Sequence, residues 1–234
     1  MGLYIILMGV QGAGKGEQAK FIQQAYGIPQ VSTGDLFRAL KTREDDFARR
    51  VQATMAAGQL IDDATTNQIV VERLAQPDAA GGVIFDGYPR NEVQAQFLAD
   101  YLRQQGQTIN AVILLELDVF VAFKRAFGRV TAADGSSYNY YYKTDGVQFR
   151  FEDHPDKLYP PRLVATLPDG TTLLRRPDDA SAAAIIKRID TYLSETMPLL
   201  PFFEKHGMLY RVDASRSLAE VSADIGTLLE RVRH

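Results

Sequence analysis

Between Gly9 and Gln18 the chain reads GVQGAGKGEQ. Gly9, four residues and then Gly14-Lys15 is the spacing of a loop that wraps phosphate. Glycines permit the tight backbone path, peptide N–H groups turn inward toward anionic oxygens, and the lysine reaches the outer phosphates. The residue after the lysine is Gly16, where the commonest version of this loop has a Ser or Thr whose hydroxyl holds Mg2+. Glu17 then sets a carboxylate where an anion has to bind. Its backbone N–H is expected to serve phosphate, and the first turn of a helix favours its charge.

Three further stretches carry polar chemistry. In STGDLFRAL, 32–40, Arg38 follows Thr33 and Gly34 by about one helical turn, and Thr33 and Asp35 suit a helix cap. In FDGYPRNEVQA, 85–95, Asp86 stands at the carboxyl end of an apolar run, which is where open α/β sheets bind ligands. It could hold a water of a bound Mg2+. Arg90 is close behind it, Asn91 suits a cap, and the Gln94 amide could pair with an adenine edge. In KRAFGRV, 124–130, Arg125 and Arg129 are four apart, on one face and at the end of a helical pattern. That position is also favoured by the helix dipole, so the pair has a structural reading as well. RRPDD, 175–179, adds cations at the far end of the segment that follows. A lobe hinged between two such ends would close over a polyphosphate.

The elements that must position these residues alternate. Apolar runs at Leu3 to Met8, 83–87, 111–118 and 208–213 predict buried parallel strands, and 29–32 a fifth. Helical patterns cover 15–25, closing at Gly27, then 63–76, 91–105, 118–128, 180–205 and 217–233, the last opening on a Ser217/Glu220 capping box. The order predicts an α/β fold with a parallel sheet. Residues 130–177, rich in Tyr, Asp, Gly and Pro, break the alternation and predict an inserted β-rich lobe with a hairpin around Pro168-Asp169-Gly170.

The bulk numbers narrow the function. The chain has 234 residues, 46% apolar, with a formal net charge of −3, which argues against a general nucleic-acid or membrane-surface binder. It has no cysteine and three scattered histidines, His154, His206 and His234, with no metal-ligand spacing. No apolar run has spanning length, and MGLYIILMGV has no basic leader, so a cytoplasmic protein is expected.

In order and rough spacing, GVQGAGKG, STGDLFRA, AAGQL, FDGYPR with Gln94, KRAFGR, RPDD and KRIDTY resemble the motifs of the adenylate kinases, in a long-lid form. The resemblance covers the chain except much of 131–174. It implies the P-loop NTPase three-layer fold with a central parallel five-stranded sheet. The core would be 1–31, 62–127 and 180–234, with a helical NMP-binding lobe at 32–61 and an inserted β-rich lid at 128–179. The implied reaction is ATP + AMP ⇌ 2 ADP with Mg2+, in a monomer that meets only small nucleotides, with no nucleic acid and no membrane. Some long lids bind zinc through cysteines, and this one cannot.

The resemblance also implies roles. Gly12, Ala13, Gly14, Lys15, Gly16 and Glu17 would cradle ATP phosphates, with Arg125, Arg129, Tyr138 and Arg216 as further ATP contacts. Thr33, Gly34, Arg38, Gln59, Leu60, Ile61, Gly87, Arg90 and Gln94 would bind AMP. Arg176 and Arg188 would reach the AMP side and the reacting phosphates, so that Lys15, Arg90, Arg129, Arg176 and Arg188 form the catalytic set, with Asp86 on Mg2+ through water. Spacing from the Asp pair would also allow Lys187 in the place of Arg188, but Arg188 keeps its register to Tyr192. The family's usual residue at position 17 is Thr. Glu17 is expected to turn out toward a lid Lys or Arg, to approach Mg2+ or its waters, or to weaken ATP binding. A UMP/CMP kinase is the nearest alternative, though such enzymes usually carry Asn where Gln94 stands. A nucleotide sensor without turnover is the alternative of another class.

Overall fold

The computed structural model describes residues 2–56, 61–134, 136–142, 144–153, 157, 161–175, 179 and 181–233. In chain order the strands are β1 (Leu3–Met8), β2 (Gln30–Ser32), β3 (Gly82–Asp86), β4 (Ala111–Glu116), β5 (Arg129–Thr131), β6 (Ser137–Asn139), β7 (Gln148–Glu152), β8 (Arg162–Thr166), β9 (Thr172–Leu173) and β10 (Leu209–Asp213). The α-helices are α1 (Lys15–Tyr26), α2 (Thr33–Leu40), α3 (Asp46–Ala56), α4 (Asp63–Leu74), α5 (Glu92–Gln104), α6 (Val119–Phe127), α7 (Ala182–Thr191), α8 (Leu200–Lys205) and α9 (Leu218–Val232). They form two compact units. One is Met1–Gly9, Gly14–Glu116 and Glu195–His234; the other is Val10–Ala13 and Leu117–Ser194.

The first unit is built on a five-stranded sheet in the order β10-β4-β1-β3-β2, with every pairing parallel. All five expected strands are present. β1 is buried along its whole length, as its unbroken apolar sequence requires when helices cover both faces. Tyr4, Ile6, Met8, Phe85, Val112 and Leu114 pack with Leu98 and Leu102 of α5 and Phe203 of α8. α1 and α9 contact each other and the sheet. Register sets Asp86 beside Leu7 on one side and Ser32 on the other, at the carboxyl ends of three strands. α3 lies in the 32–61 segment that the resemblance implies to be helical; Asp45 begins it, accepting from the Ala48 N–H at 2.9 Å. Leu40, Ala48, Val51 and Ile69 form a small separate core there, joined by Ile61.

The helix expected over 180–205 is not continuous. α7 ends at Thr191, a wide π-type turn covers Tyr192–Thr196, a 3-10 turn covers Met197–Leu199, and α8 follows. Pro198 and Pro201 carry no N–H to continue the ladder, so the backbone changes pitch around them. The chain passes between its two units inside that wide turn, at Ser194 and Glu195. The capping box is present, with Ser217 accepting from the Glu220 N–H and Glu220 accepting from the Ser217 N–H.

In the second unit, β5 pairs antiparallel with β6, and β7, β8 and β9 form an antiparallel sheet. A bridge joins Thr131 to Leu174. Val130, Leu163, Ala165 and Leu173 make a core of their own, with Tyr138, Tyr140 and Phe149 against it. The Tyr140 ring meets Tyr141, Phe149 and Phe151 edge-on, with centroids 5.0 to 5.4 Å apart. Part of the unusual aromatic content thus packs against this small aliphatic core. The expected hairpin is there: the Gly170 N–H donates to the Leu167 carbonyl, and Gly170 takes φ 85°.

Candidate phosphate-transfer site

The phosphate loop lies between β1 and α1, as its sequence context requires. Gly14 caps α1 in the left-handed region, φ 93°, open to glycine at no steric cost. A side chain at Gly12 would set its Cβ 2.5 Å from the Ala122 carbonyl oxygen, besides the strain of φ 94°. Ala13 is buried, and Gly16 lies in the first turn of α1. Lys15 arches back over the loop, donating from Nζ to the Gly9 carbonyl at 2.7 Å.

Glu17 differs from expectation in two ways. Its N–H, expected from sequence to serve phosphate, donates instead to the Gly14 carbonyl at 3.0 Å. Its carboxylate is 3.6 Å from Lys20, one turn along the same helix, where the sequence led us to expect a lid cation.

On the other side of β1, the carbonyl of Gly87 gathers two expected residues. The Thr33 hydroxyl donates to it at 3.0 Å and Arg90 Nε at 2.9 Å, with Arg90 Nη2 3.5 Å from Thr33 Oγ1. Thr33 is the first residue of α2, and its hydroxyl serves this contact rather than the helix cap. Gly87 has φ 75°, and a Cβ there would lie 3.1 Å from Thr33 Oγ1. Gln94 is buried beside them. Its Oε1 accepts from the Arg90 N–H at 2.8 Å and its Nε2 donates to Asp63 Oδ1 at 2.6 Å. Asn91 caps α5 through Oδ1 and donates from Nδ2 to the same Asp63. Asp63 therefore orients both amides, a role hidden in sequence because an acidic pair at a helix start reads as capping. Asp62 does cap α4, through the Thr65 N–H. Beneath them, Tyr88 donates to Asn67 Oδ1 at 2.6 Å, and burial pushes its phenol up out of the usual range.

Asp86 closes β3 and accepts from Gln30 Nε2 at 2.9 Å. Gly34 and Arg38 lie in α2, and Ile61 packs with Leu40 and Ile69. Gln59, Leu60, Arg176 and the Arg38 side chain lie outside the described residues. Arg216 pairs with Asp224, whose hydrogen bond holds the guanidinium pKa above its ordinary value.

In the second unit one carboxylate gathers two of the arginines. Asp179 is fully buried. Its Oδ2 accepts from Arg129 Nε at 2.9 Å and Nη2 at 2.6 Å, and its Oδ1 from Gln11 Nε2 at 2.6 Å. Arg188 Nη1 is 3.8 Å from Oδ1. Sequence reading took RRPDD for its arginines and missed this aspartate. Arg125 lies 5.6 Å from the centre of the Tyr142 ring, and Tyr138 is half-buried in β6. Arg175 is spent on structure: it stacks on Phe127 at 4.5 Å and donates to the Phe127 carbonyl, and burial lowers its pKa. Among the described residues no group of three or more His, Cys, Asp or Glu could hold a metal ion, and no helix is long and apolar enough to cross a membrane.

Comparison with known proteins agrees with this geometry. The family model described as Adenylate kinase matches residues 7–208. A protein named Adenylate kinase from Nitrosococcus oceani is 38% identical over 229 residues, 97% of this chain and 99% of the relative. Proteins of the same name from Rhizobium etli and Listeria monocytogenes are 37% and 34% identical, over 97% and 96% of this chain. A glycine loop with its lysine, an arginine and a glutamine beside a strand end, and a full-length match of this kind have one common meaning: this chain belongs to the adenylate kinase family.

Proposed function

We propose that the chain performs the family reaction, reversible phosphoryl transfer from ATP to AMP giving two ADP, with its own residues in the following roles. Gly12, Ala13, Gly14 and Gly16 shape the loop around the ATP phosphates, and Lys15 swings from the Gly9 carbonyl onto them. Thr33, Gly34, Arg38, Gln59, Leu60, Ile61, Gly87, Arg90 and Gln94 hold AMP. Arg125, Tyr138 and Arg216 contact ATP, while Arg129, Arg176 and Arg188 compensate charge at the transferring group. The attacking AMP oxygen is already anionic at neutral pH, so the work is positioning and charge compensation rather than proton removal. Gln94 is suited to the base: with one hydrogen bond made at each end of its amide, one N–H and one lone pair remain for an adenine edge.

The donor set fits Mg2+ held largely by water and phosphate. Asp86 offers a hard oxygen at a strand end, the kind of ligand that supports such an ion through water. When bound with ATP, Mg2+ would supply charge neutralisation for the phosphates. The division into core, NMP-binding lobe (32–61) and lid (128–179), the monomeric state and a cytoplasmic location belong to the same reading, as does the lid's role in excluding water from the transferring group.

The observation that carries this reading is the glycine loop with Lys15 folded onto it, in a chain of this family. Replacing Lys15 with Met tests it: kcat for ADP formation should fall by roughly 100-fold or more, the scale of losing one charge-stabilising donor. An unchanged kcat would remove Lys15 from the chemistry.

A further inference from the structure

Asp63, the first residue of α4, has no place among the nucleotide-binding roles given above, yet it holds both amides at the start of α5. It accepts from Asn91 Nδ2 at 3.0 and 3.2 Å and from Gln94 Nε2 at 2.6 Å. Both amides are tied at their oxygen ends as well. Asn91 Oδ1 accepts from the Gln94 N–H at 2.9 Å, and Gln94 Oε1 accepts from the Arg90 N–H at 2.8 Å. An ionised carboxylate only accepts and a backbone N–H only donates, so Gln94 has one permitted way round. Turning its amide over would set Oε1 against a carboxylate oxygen and the NH2 group against a backbone N–H. Gln94 is buried, so little water is present to relieve that mismatch.

The direction of the amide carries information. Adenine presents the N6–H donor beside the N1 acceptor. A 6-oxopurine presents the O6 acceptor beside the N1–H donor, the same outline with the order reversed. A glutamine free to turn over matches either base, whereas one held in a single direction matches only one of them in a given pose.

We infer that Asp63 determines specificity for the acceptor base: by anchoring Gln94 through Nε2, it makes the site select a 6-aminopurine nucleotide and reject the 6-oxo counterpart. The inference deepens the reading of AMP as acceptor and rests on Gln94 meeting the base. Asp63 is a positioning residue, acting on the base only through Gln94.

Inosine 5′-monophosphate (IMP) is the probe, because it differs from AMP only in the 6-oxo group and the proton on N1. Asp63→Asn keeps the shape of the side chain but replaces a pure acceptor with a group that can also donate, so Gln94 can face it either way. Asp63→Ala, which removes the anchor outright, is measured alongside. Rates of phosphoryl transfer to AMP and to IMP are compared in the native chain, in each variant alone and in a Gln94→Ala background, with thermal melts confirming folding. The native chain should favour AMP by roughly 100-fold or more in kcat/KM. Either Asp63 variant should cut that preference about tenfold, the scale of losing one charge-assisted hydrogen bond, and part of the change should be a gain with IMP. The Arg90 N–H still opposes the turned amide, so the preference weakens without vanishing. In the Gln94→Ala background the same changes should leave the AMP-to-IMP ratio within about twofold. An unchanged preference, or equal losses with AMP and IMP, would overturn the inference and leave Asp63 a merely structural role, with the reading of Gln94 intact. If the native chain does not favour AMP over IMP, or if Gln94→Ala leaves the ratio unaltered, Gln94 does not read the base and the inference falls with that reading.

Discussion

Lys15, Thr33, Arg90 and Gln94 were legible because each sits at a fixed offset from a glycine or a strand end, and backbone geometry then dictates where it points. Asp63 and Asp179 were not legible. Each is one of two adjacent aspartates, and only tertiary packing separates the capping Asp62 from Asp63, or exposes what Asp179 collects. Glu17 was legible as an anomaly but not in its resolution. Its carboxylate has turned to the exposed Lys20, a pair of the kind that contributes little to stability. Glu17→Thr should therefore leave the melting temperature within a degree or two and the ATP affinity within about twofold. Titration calorimetry with ATP decides it; a gain of tenfold or more would mean that the carboxylate opposes the triphosphate.

At the scale of elements, the five strands of the parallel sheet were read to within a residue or two at their ends, most plainly β1, β3 and β4, where a buried parallel strand is an unbroken apolar run. The helix over 180–205 was over-extended, since its apolar periodicity continues past Pro198 although the backbone ladder does not. Helix α3 falls in a lobe expected to be helical, but its bounds were not legible, because its apolar face meets only the small cluster around Leu40 and Val51. Among the described glycines the tightest constraint falls on Gly82, which opens β3 at φ 114°. A Cβ there would come within 2.1 Å of the Leu3 carbonyl oxygen, backbone that belongs to the central strand β1. Gly82→Ala should destabilise the protein by about 3 kcal/mol or more, a large share of a typical domain's stability. Denaturant titration measures the loss, and a change below about 1 kcal/mol would show that the β1–β3 register can slide to make room.

For the whole molecule, ionisation sets the pH range of stability. Arg43 holds the Asp45 carboxyl below its ordinary range, the Thr65 N–H does so for Asp62, Arg73 for Asp78, and Arg162 with Arg150 for Glu152. Groups lowered in the folded state contribute stability above their unfolded pKa of about 4 and lose it as pH falls through their folded values. Tyr88, raised by burial, contributes below its unfolded value of about 10 and loses its contribution as pH rises beyond it. Thermal melts should thus be level near neutrality, with the melting temperature falling below about pH 4 and again above about pH 10. A melting temperature that rose on acidification from pH 5 to 3 would contradict the carboxylate assignments. The central claim concerns the reaction, and initial rates of ADP formation from Mg-ATP with AMP, UMP, CMP and GMP in parallel test it most directly. AMP should be the preferred acceptor by a wide margin. Preference for a pyrimidine nucleotide would contradict the place given to Gln94, and no turnover with any of the four would contradict phosphoryl transfer itself.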